Sequence, residues 1–556
     1  MMSRPVAGVR SSTVIVTLPG SPKGAKENLQ SIVKTLPHAC LQAAGGDSRA
    51  LHKGGVKNLE AQAGVSSSPV PTGGCHHHGH SHGHSHGHGH SHSHGHPGLV
   101  RHTRPDSNHM SNDPSLGPTR RHRSSPYPML GVPEALDLIK KHTPAPELTT
   151  SKVNPSLVGS VLAGDVTAQE NVPAFRASIV DGYAVVVPSD GNMKGVYPVT
   201  SVSHAAASKP QTLQEGSISR ITTGAALPPG ATSVIMVEDT VLKSMTPDNK
   251  EENEVEILAE NVKEGENIRE VGSDIAQGSK ILLAGEKISG VGGELGLLAA
   301  VGVSEVRTYR RPVVGVLSTG DEIVEHDKQG ALQLGEVRDT NRVTLLSAAK
   351  QWGFEAVDLG IASDKPGALE ETLRDALRRS DVVITTGGVS MGELDLLKPT
   401  IERSLGGTIH FGRVNMKPGK PTTFATVPAK NNAGERIPSP IFALPGNPAS
   451  ALVTFHLFVL PTLHILSGEE PTGCPSARVV LAHEFPMDKG RPEYHRAHVA
   501  VGRDGRLVAS STGGQRSSKV GSMRKANALV CVPKGEGSLK EGEMADALLI
   551  GGIGSA

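Results

Sequence analysis

Aromatic side chains are scarce in this chain, at 3% of 556 residues, with one Trp, five Tyr and eight Phe. Cores of the size this length allows must therefore be built from Val, Ile, Leu and Ala, and there is room for three or four of them. Charge of one sign is also lacking: 56 Lys plus Arg face 55 Asp plus Glu, which excludes the global basic field that drives nucleic-acid binding. The four cysteines, at 40, 75, 474 and 531, lie far apart with no CxxC spacing, as expected of a reducing compartment. No long hydrophobic run is present either. The most apolar stretch, residues 451–466, is interrupted by His456, Pro461 and His464, and no secretory leader opens the chain. A cytoplasmic protein without membrane insertion is the expectation.

What is present centres on residues 381–426. DVVITT is a short β-branched run that delivers its carboxyl end into Gly387-Gly388, the pattern of a buried parallel strand entering a glycine loop. Exposed amides ahead of a helix make an anion cradle, and Asp395 stands at that helix start. Lys417 and Lys420 return nearby in KPGKP, where Pro418 and Pro421 stiffen the turn that carries them. One carboxylate among several cations points to phosphate together with a metal. An ordinary strand-to-helix turn is the plainer alternative for the glycines alone.

Along the chain, SSTVIVTL from Ser11 reads as a strand and KENLQSIVKTL as a helix. The same signature recurs at IFALPGNPAS, residues 441–450, so residues 1–42 read as the remnant of a second, similar α/β domain. Residues 43–125 read as a disordered Gly, Ser, His and Pro linker, with twelve histidines between 75 and 96 that serve as a spacer or as loose metal ligands. Helical and connecting segments are expected over 126–167 and 275–308, around a β-rich insertion at 168–274. Asp181 and Asp274 fall in its turns, where bonding to their own backbone is the bland reading. Alternating strands and helices over 309–467 describe a doubly wound α/β domain, and short alternating segments over 468–553 a small C-terminal β-barrel. Ligands of doubly wound sheets bind beyond the carboxyl ends of the strands. There the polar residues are Ser318, Thr319, Asp321 and Glu322, then Asp364, then Ser390, Glu393 and Asp395, then Asn447 and Ser450.

Seven motifs occur together: DGYAV (181–185), TTGAALPPGA (222–231), STGDE (318–322), TTGGVSMGELD (385–395), MKPGKP (416–421), LPGNPAS (444–450) and RPEYHR (491–496). In these the chain resembles the molybdopterin molybdenumtransferase family, over about 126–553, and its arrangement behind a linker is similar to the gephyrin-type form with most of the N-terminal adenylyltransferase domain missing. The resemblance implies an α/β molybdopterin-binding domain and a Mg²⁺-dependent transferase that takes molybdate and adenylylated molybdopterin to molybdenum cofactor. Glu322 and Asp364 would hold Mg²⁺, with Asp395 placing the metal or the attacking water. Lys417 and Lys420 would hold molybdate and pterin phosphate, with Arg413, Arg496, Ser450 and Ser522 completing the anion pocket. Ser318, Thr319, Gly387, Gly388, Ser390, Gly392, Pro445 and Asn447 would form the pterin cradle. A homodimer with shared sites is implied as well, bringing Asp181, Thr223 and Asp274 over the partner's crevice, and so is a separate protein that supplies the adenylylated pterin. The alternative is a scaffold that clusters inhibitory receptors through receptor loops or the cytoskeleton, attached to membranes at synapses only through partners. Scaffold members resemble SPFP followed by Asp and Phe, whereas this chain has SPYP followed by Pro133 and Leu136.

Overall fold

The computed structural model describes residues 7–10, 13–16 and 125–555, apart from 206–210, 364, 366, 389–395 and 432–433. In the N-terminal unit, Ala7–Arg10 and Thr13–Val16 pair as an antiparallel hairpin. The second strand falls within the expected SSTVIVTL; the first was not anticipated. The helix expected next and the linker lie outside the described residues.

The longer unit begins with the helix Val132–His142. Pro133 opens it, and the Glu134 carboxylate accepts the Gly131 N–H at 2.8 Å, satisfying an amide that the helix itself leaves unpaired. The strand Leu148–Lys152 then pairs with Glu305–Tyr309, so both ends of the intervening 150 or so residues return to one ladder. Within that interval lies a six-stranded sheet ordered 240–245, 252–257, 195–203, 218–221, 182–185, 233–236. All of its neighbours are antiparallel except 195–203 with 218–221.

The α/β sheet runs 355–362, 313–319, 382–386, 436–444, 423–430, 408–411. Its first four strands are parallel; Thr423–Lys430 runs against them, forming a hairpin with Arg436–Leu444, and Thr408–Phe411 pairs antiparallel with Thr423–Lys430. The expected doubly wound domain is thus a mixed sheet: two β-prone runs with a short turn between them close directly on each other instead of crossing over a helix. Both faces are covered, which is why the central strands are apolar without alternation. Val382 and Ile384 pack toward the helices Asn341–Gln351 and Pro448–Leu466, and Val383 packs toward Ala368–Arg379. The few aromatics are concentrated here: Phe411, Phe424, Phe442, Phe455 and Phe458 are fully buried, four of them in successive ring contacts. The helix Pro448–Leu466 is 19 residues long with mean hydropathy 1.7, yet 89% of it is buried in protein. Its wide turn at Phe455–Val459 precedes Pro461, whose ring nitrogen has no hydrogen to donate.

After this helix, strands 476–481, 544–549, 528–532, 493–501 and 507–511 pair in sequence, and 507–511 pairs back onto 476–481. The sheet closes into a five-stranded barrel around Val479, Leu481, Phe485, Val499 and Val530.

Candidate anion-binding crevice

In the α/β sheet the strand 313–319 has 355–362 on one side and 382–386 on the other, so the chain reverses direction of winding beside it. A reversal of this kind opens a crevice above the strand ends. Ser318 and Thr319 are buried there. Ser318 Oγ lies 3.1 Å from Thr386 Oγ1, and Thr319 Oγ1 donates to Thr386 O at 3.2 Å. Gly387 follows with φ +90°, and a Cβ on it would lie 2.7 Å from Thr319 O. Only glycine allows so close an approach of the two strand ends. Gly388 also has a positive φ, while Ser390, Gly392, Glu393 and Asp395 lie outside the described residues.

The LPGNP turn stands next to this loop, with Gly446 against Gly387. Asn341 Nδ2 donates to Gly446 O at 2.9 Å, and Asn447 caps the long buried helix, whose first turn carries the buried Ser450. Pro445, Asn447 and Ser450 border a crevice of about 630 Å³. Lys417 and Lys420 enter from the KPGKP turn, and Arg491, Gln515, Arg516, Ser517 and Ser518 come from the barrel. Among the described residues, four cations and no carboxylate line this space. Such a lining, beside a helix N-terminus, suits a multiply charged oxyanion or phosphate ester.

Gln515, Arg516, Ser517 and Ser518 are the part that motif reading missed. The loop carrying them docks on the helix start: Ala449 N–H donates to Ser517 O at 3.1 Å, and Asn447 Nδ2 to Ser517 Oγ at 3.2 Å. GQRSS at 514–518 is an unremarkable polar loop in sequence, and only its position in space gives it a role.

Arg496 and Ser522 come together, but behind the crevice wall and not in it. Arg496 is fully buried, and its Nε and Nη2 donate to Ser522 Oγ at 3.4 and 3.3 Å. Its Nη2 also reaches Arg516 O at 3.4 Å, and its backbone N–H donates to Gln515 Oε1 at 2.9 Å, so it braces the lining loop from inside. Arg496 Nη1 has no hydrogen-bond partner among the described residues. Burial pushes this guanidinium down to about 10, which still leaves it charged at neutral pH. Arg413 is elsewhere: its Nε donates to Tyr127 O at 2.8 Å, tying the segment before the first helix to the sheet.

Of the two expected metal ligands, Asp364 is outside the described residues. Glu322 is exposed just past the 313–319 strand, and its carboxylate takes no hydrogen bond or ion pair among the described residues. Its neighbour Asp321 accepts from Ser363 Oγ at 2.7 Å. A free carboxylate oxygen at this edge is a donor of the hard type that Mg²⁺ takes.

In the β-rich insertion Asp181 and Thr223 are joined. Asp181 Oδ1 accepts the Thr223 N–H at 2.7 Å and its Oγ1 at 3.0 Å, and these two bonds hold the carboxyl below the usual carboxylate range. Asp274 is paired with Arg269. None of the three borders the crevice of its own chain.

Comparisons with known proteins agree region by region. Residues 130–302 match the MoeA N-terminal region (domains I and II), 315–465 a probable molybdopterin binding domain, and 478–550 the MoeA C-terminal region (domain IV). The chain is similar to a protein named gephyrin in Dictyostelium discoideum, at 35% identity, covering 100% of this chain and 79% of that one. It is also similar to the molybdopterin molybdenumtransferase of Haemophilus influenzae, at 33% identity over 75% of this chain and 97% of the relative. Among solved structures, a molybdopterin biosynthesis MoeA protein from Pyrococcus horikoshii aligns with TM-score 0.61 and 28% identity, covering 76% of this chain and 100% of that one.

Proposed function

The chain belongs to the molybdopterin molybdenumtransferase family, and from that premise we propose that its crevice takes molybdate and adenylylated molybdopterin to molybdenum cofactor with release of AMP. The observation that carries the reading is the crevice lining: Lys417, Lys420, Arg491 and Arg516 around the helix start at Asn447, with no carboxylate among the described lining residues. Both substrates are oxyanions, and charge-assisted bonds to them are stronger than neutral ones. Lys417 and Lys420 act as point charges for molybdate and the pterin phosphate, while Ser450 and Asn447 fix orientation. Arg496 keeps the Gln515–Arg516 loop in register behind them.

Mg²⁺ dependence is part of the proposal. Glu322 and Asp364 would hold the ion, and the ion, when bound, supplies charge neutralisation for cleaving the adenylate phosphoanhydride. Asp395 sets the position of the metal or of the attacking water. The β-rich insertion of one subunit covers the crevice of the other in a homodimer, bringing Asp181, Thr223 and Asp274 to the site. Adenylylated molybdopterin comes from another protein, and the setting is cytoplasmic. A receptor-clustering role is the second reading, and the likeness to a protein named gephyrin is consistent with it.

The test supplies the purified full chain with molybdate and Mg²⁺, together with either molybdopterin or its adenylylated form, and follows molybdenum cofactor. Turnover of the adenylylated form alone is expected. Failure of both forms would overturn the reading.

A further inference from the structure

The four crevice cations are not equivalent. Among the described residues Lys420, Arg491 and Arg516 have no carboxylate partner, whereas Lys417 has two. Its Nζ lies 2.9 Å from Glu493 Oε2 and 3.4 Å from Asp488 Oδ2. Glu493 is only 3% exposed, and a carboxylate leaves water only where partners hold it. Lys417 holds one oxygen. His495 Nδ1 lies 3.4 Å from the other, and its Nε2 is fixed 2.7 Å from Ser511 Oγ. Asp488 is held from behind by the N–H groups of Gly490 and Arg491, at 3.0 and 2.9 Å.

The backbone sets this alignment. Lys417 N–H donates to Pro492 O at 2.9 Å, and Tyr494 N–H donates to Lys417 O at 2.8 Å, which places Glu493 opposite Lys417. Burial pulls the Lys417 ammonium down, but the bonds to Glu493 and Asp488 outweigh it and leave the group above the usual lysine range. The same carboxylates compete with any oxyanion for the ammonium hydrogens, since a hydrogen held by Glu493 or Asp488 is not offered to the crevice.

We propose that Glu493 and Asp488 are positioning residues that keep Lys417 aimed into the crevice while weakening its grip on the oxyanion, so that firm anion binding rests on the three unpaired cations and Lys417 is the contact that lets go. The proposal rests on the anion-crevice reading given under Proposed function. Neither carboxylate touches substrate in it.

The experiment titrates molybdate into the full chain by calorimetry, for wild type, Glu493→Gln, Asp488→Asn, Lys417→Ala and the double variant Lys417→Ala/Glu493→Gln. Gln keeps the shape of Glu493 and still bonds Lys417, so the change removes charge alone. Glu493→Gln is expected to bind molybdate about threefold to tenfold more tightly, with Asp488→Asn shifting the same way by less because it is more exposed than Glu493 and lies farther from Lys417 Nζ. KM for molybdate and kcat should fall together, the pattern of a lost ground-state penalty and not of a damaged site. In the Lys417→Ala background the Glu493 change should have no effect on affinity. Unchanged or weaker molybdate binding in both single carboxylate variants overturns the proposal, and so does tightening that persists without Lys417. Asp488→Asn, at the rim, decides the matter if Glu493→Gln fails to fold. If wild type binds no molybdate, the anion-crevice reading itself has failed and the proposal falls with it.

Discussion

His456 shows how burial fixes a single group. It is enclosed in the long core helix with Nδ1 bonded to Leu452 O at 2.8 Å, and desolvation pushes its imidazole down to about 4. The unfolded chain binds that proton near pH 6.5, so between about pH 6.5 and 4 the unfolded state holds more protons than the folded one. Stability therefore falls as pH drops through this window and levels off below it, with a slope of at most about 1.4 kcal/mol per pH unit from this group. Urea denaturation at pH 7, 6 and 5 should show the fall in wild type and a flatter profile in His456→Gln. At this scale the sequence named residue types better than it placed them. Lys417 and Lys420, read from the stiff KPGKP turn, and Asn447 and Ser450, read from a strand end, do border the crevice. The resemblance implies Arg413 and Arg496 for the anion pocket, but one braces the chain at Tyr127 and the other sits behind the wall. Residue chemistry is legible in sequence; which side of a wall a side chain occupies is decided by packing.

Elements were legible wherever periodicity or glycine punctuation was strong. DVVITTGG is the buried strand Val382–Thr386 ending in positive-φ glycine, and the VPEALDLIKKH helix starts where Pro133 marks it. Strand direction was not legible. TTFAT and IFALPG are both β-prone and nothing in either reports direction, so the antiparallel hairpin between them emerged only in the structure. Gly387→Ala tests the tightest of these elements. With φ +90° and a Cβ 2.7 Å from Thr319 O, the substitution should cost about 1–3 kcal/mol and displace the loop over the crevice. Denaturant midpoints and molybdate titration should both move. Loss of binding without loss of stability would show that strain is relieved by the loop alone.

For the whole molecule, the insertion, the mixed sheet and the barrel follow the composition shifts seen along the chain, whereas contacts between distant segments do not. Leu148–Lys152 meets Glu305–Tyr309 across the whole insertion, and no local pattern foretells that ladder. Asp181, Thr223 and Asp274 pose the corresponding question between chains, since none borders its own crevice. If each site is built from two subunits, inactive Asp181→Asn and inactive Lys417→Ala chains should complement when refolded together. Random pairing leaves one intact site in every mixed dimer, about one quarter of wild-type activity in total. Size-exclusion chromatography with activity assays of the mixture checks it. No recovery would mean that each chain works with its own residues.

The two backbone bonds from Lys417 to Pro492 and Tyr494 join the KPGKP turn to the barrel, and the crevice opens beside them. Whatever anion occupies that crevice lies across the seam, gripped by Lys420 from one shore and by Arg491 and Arg516 from the other. The ligand is thus a stitch between two folding units as well as a passenger. By mass action, an anion bound across the seam opposes its opening.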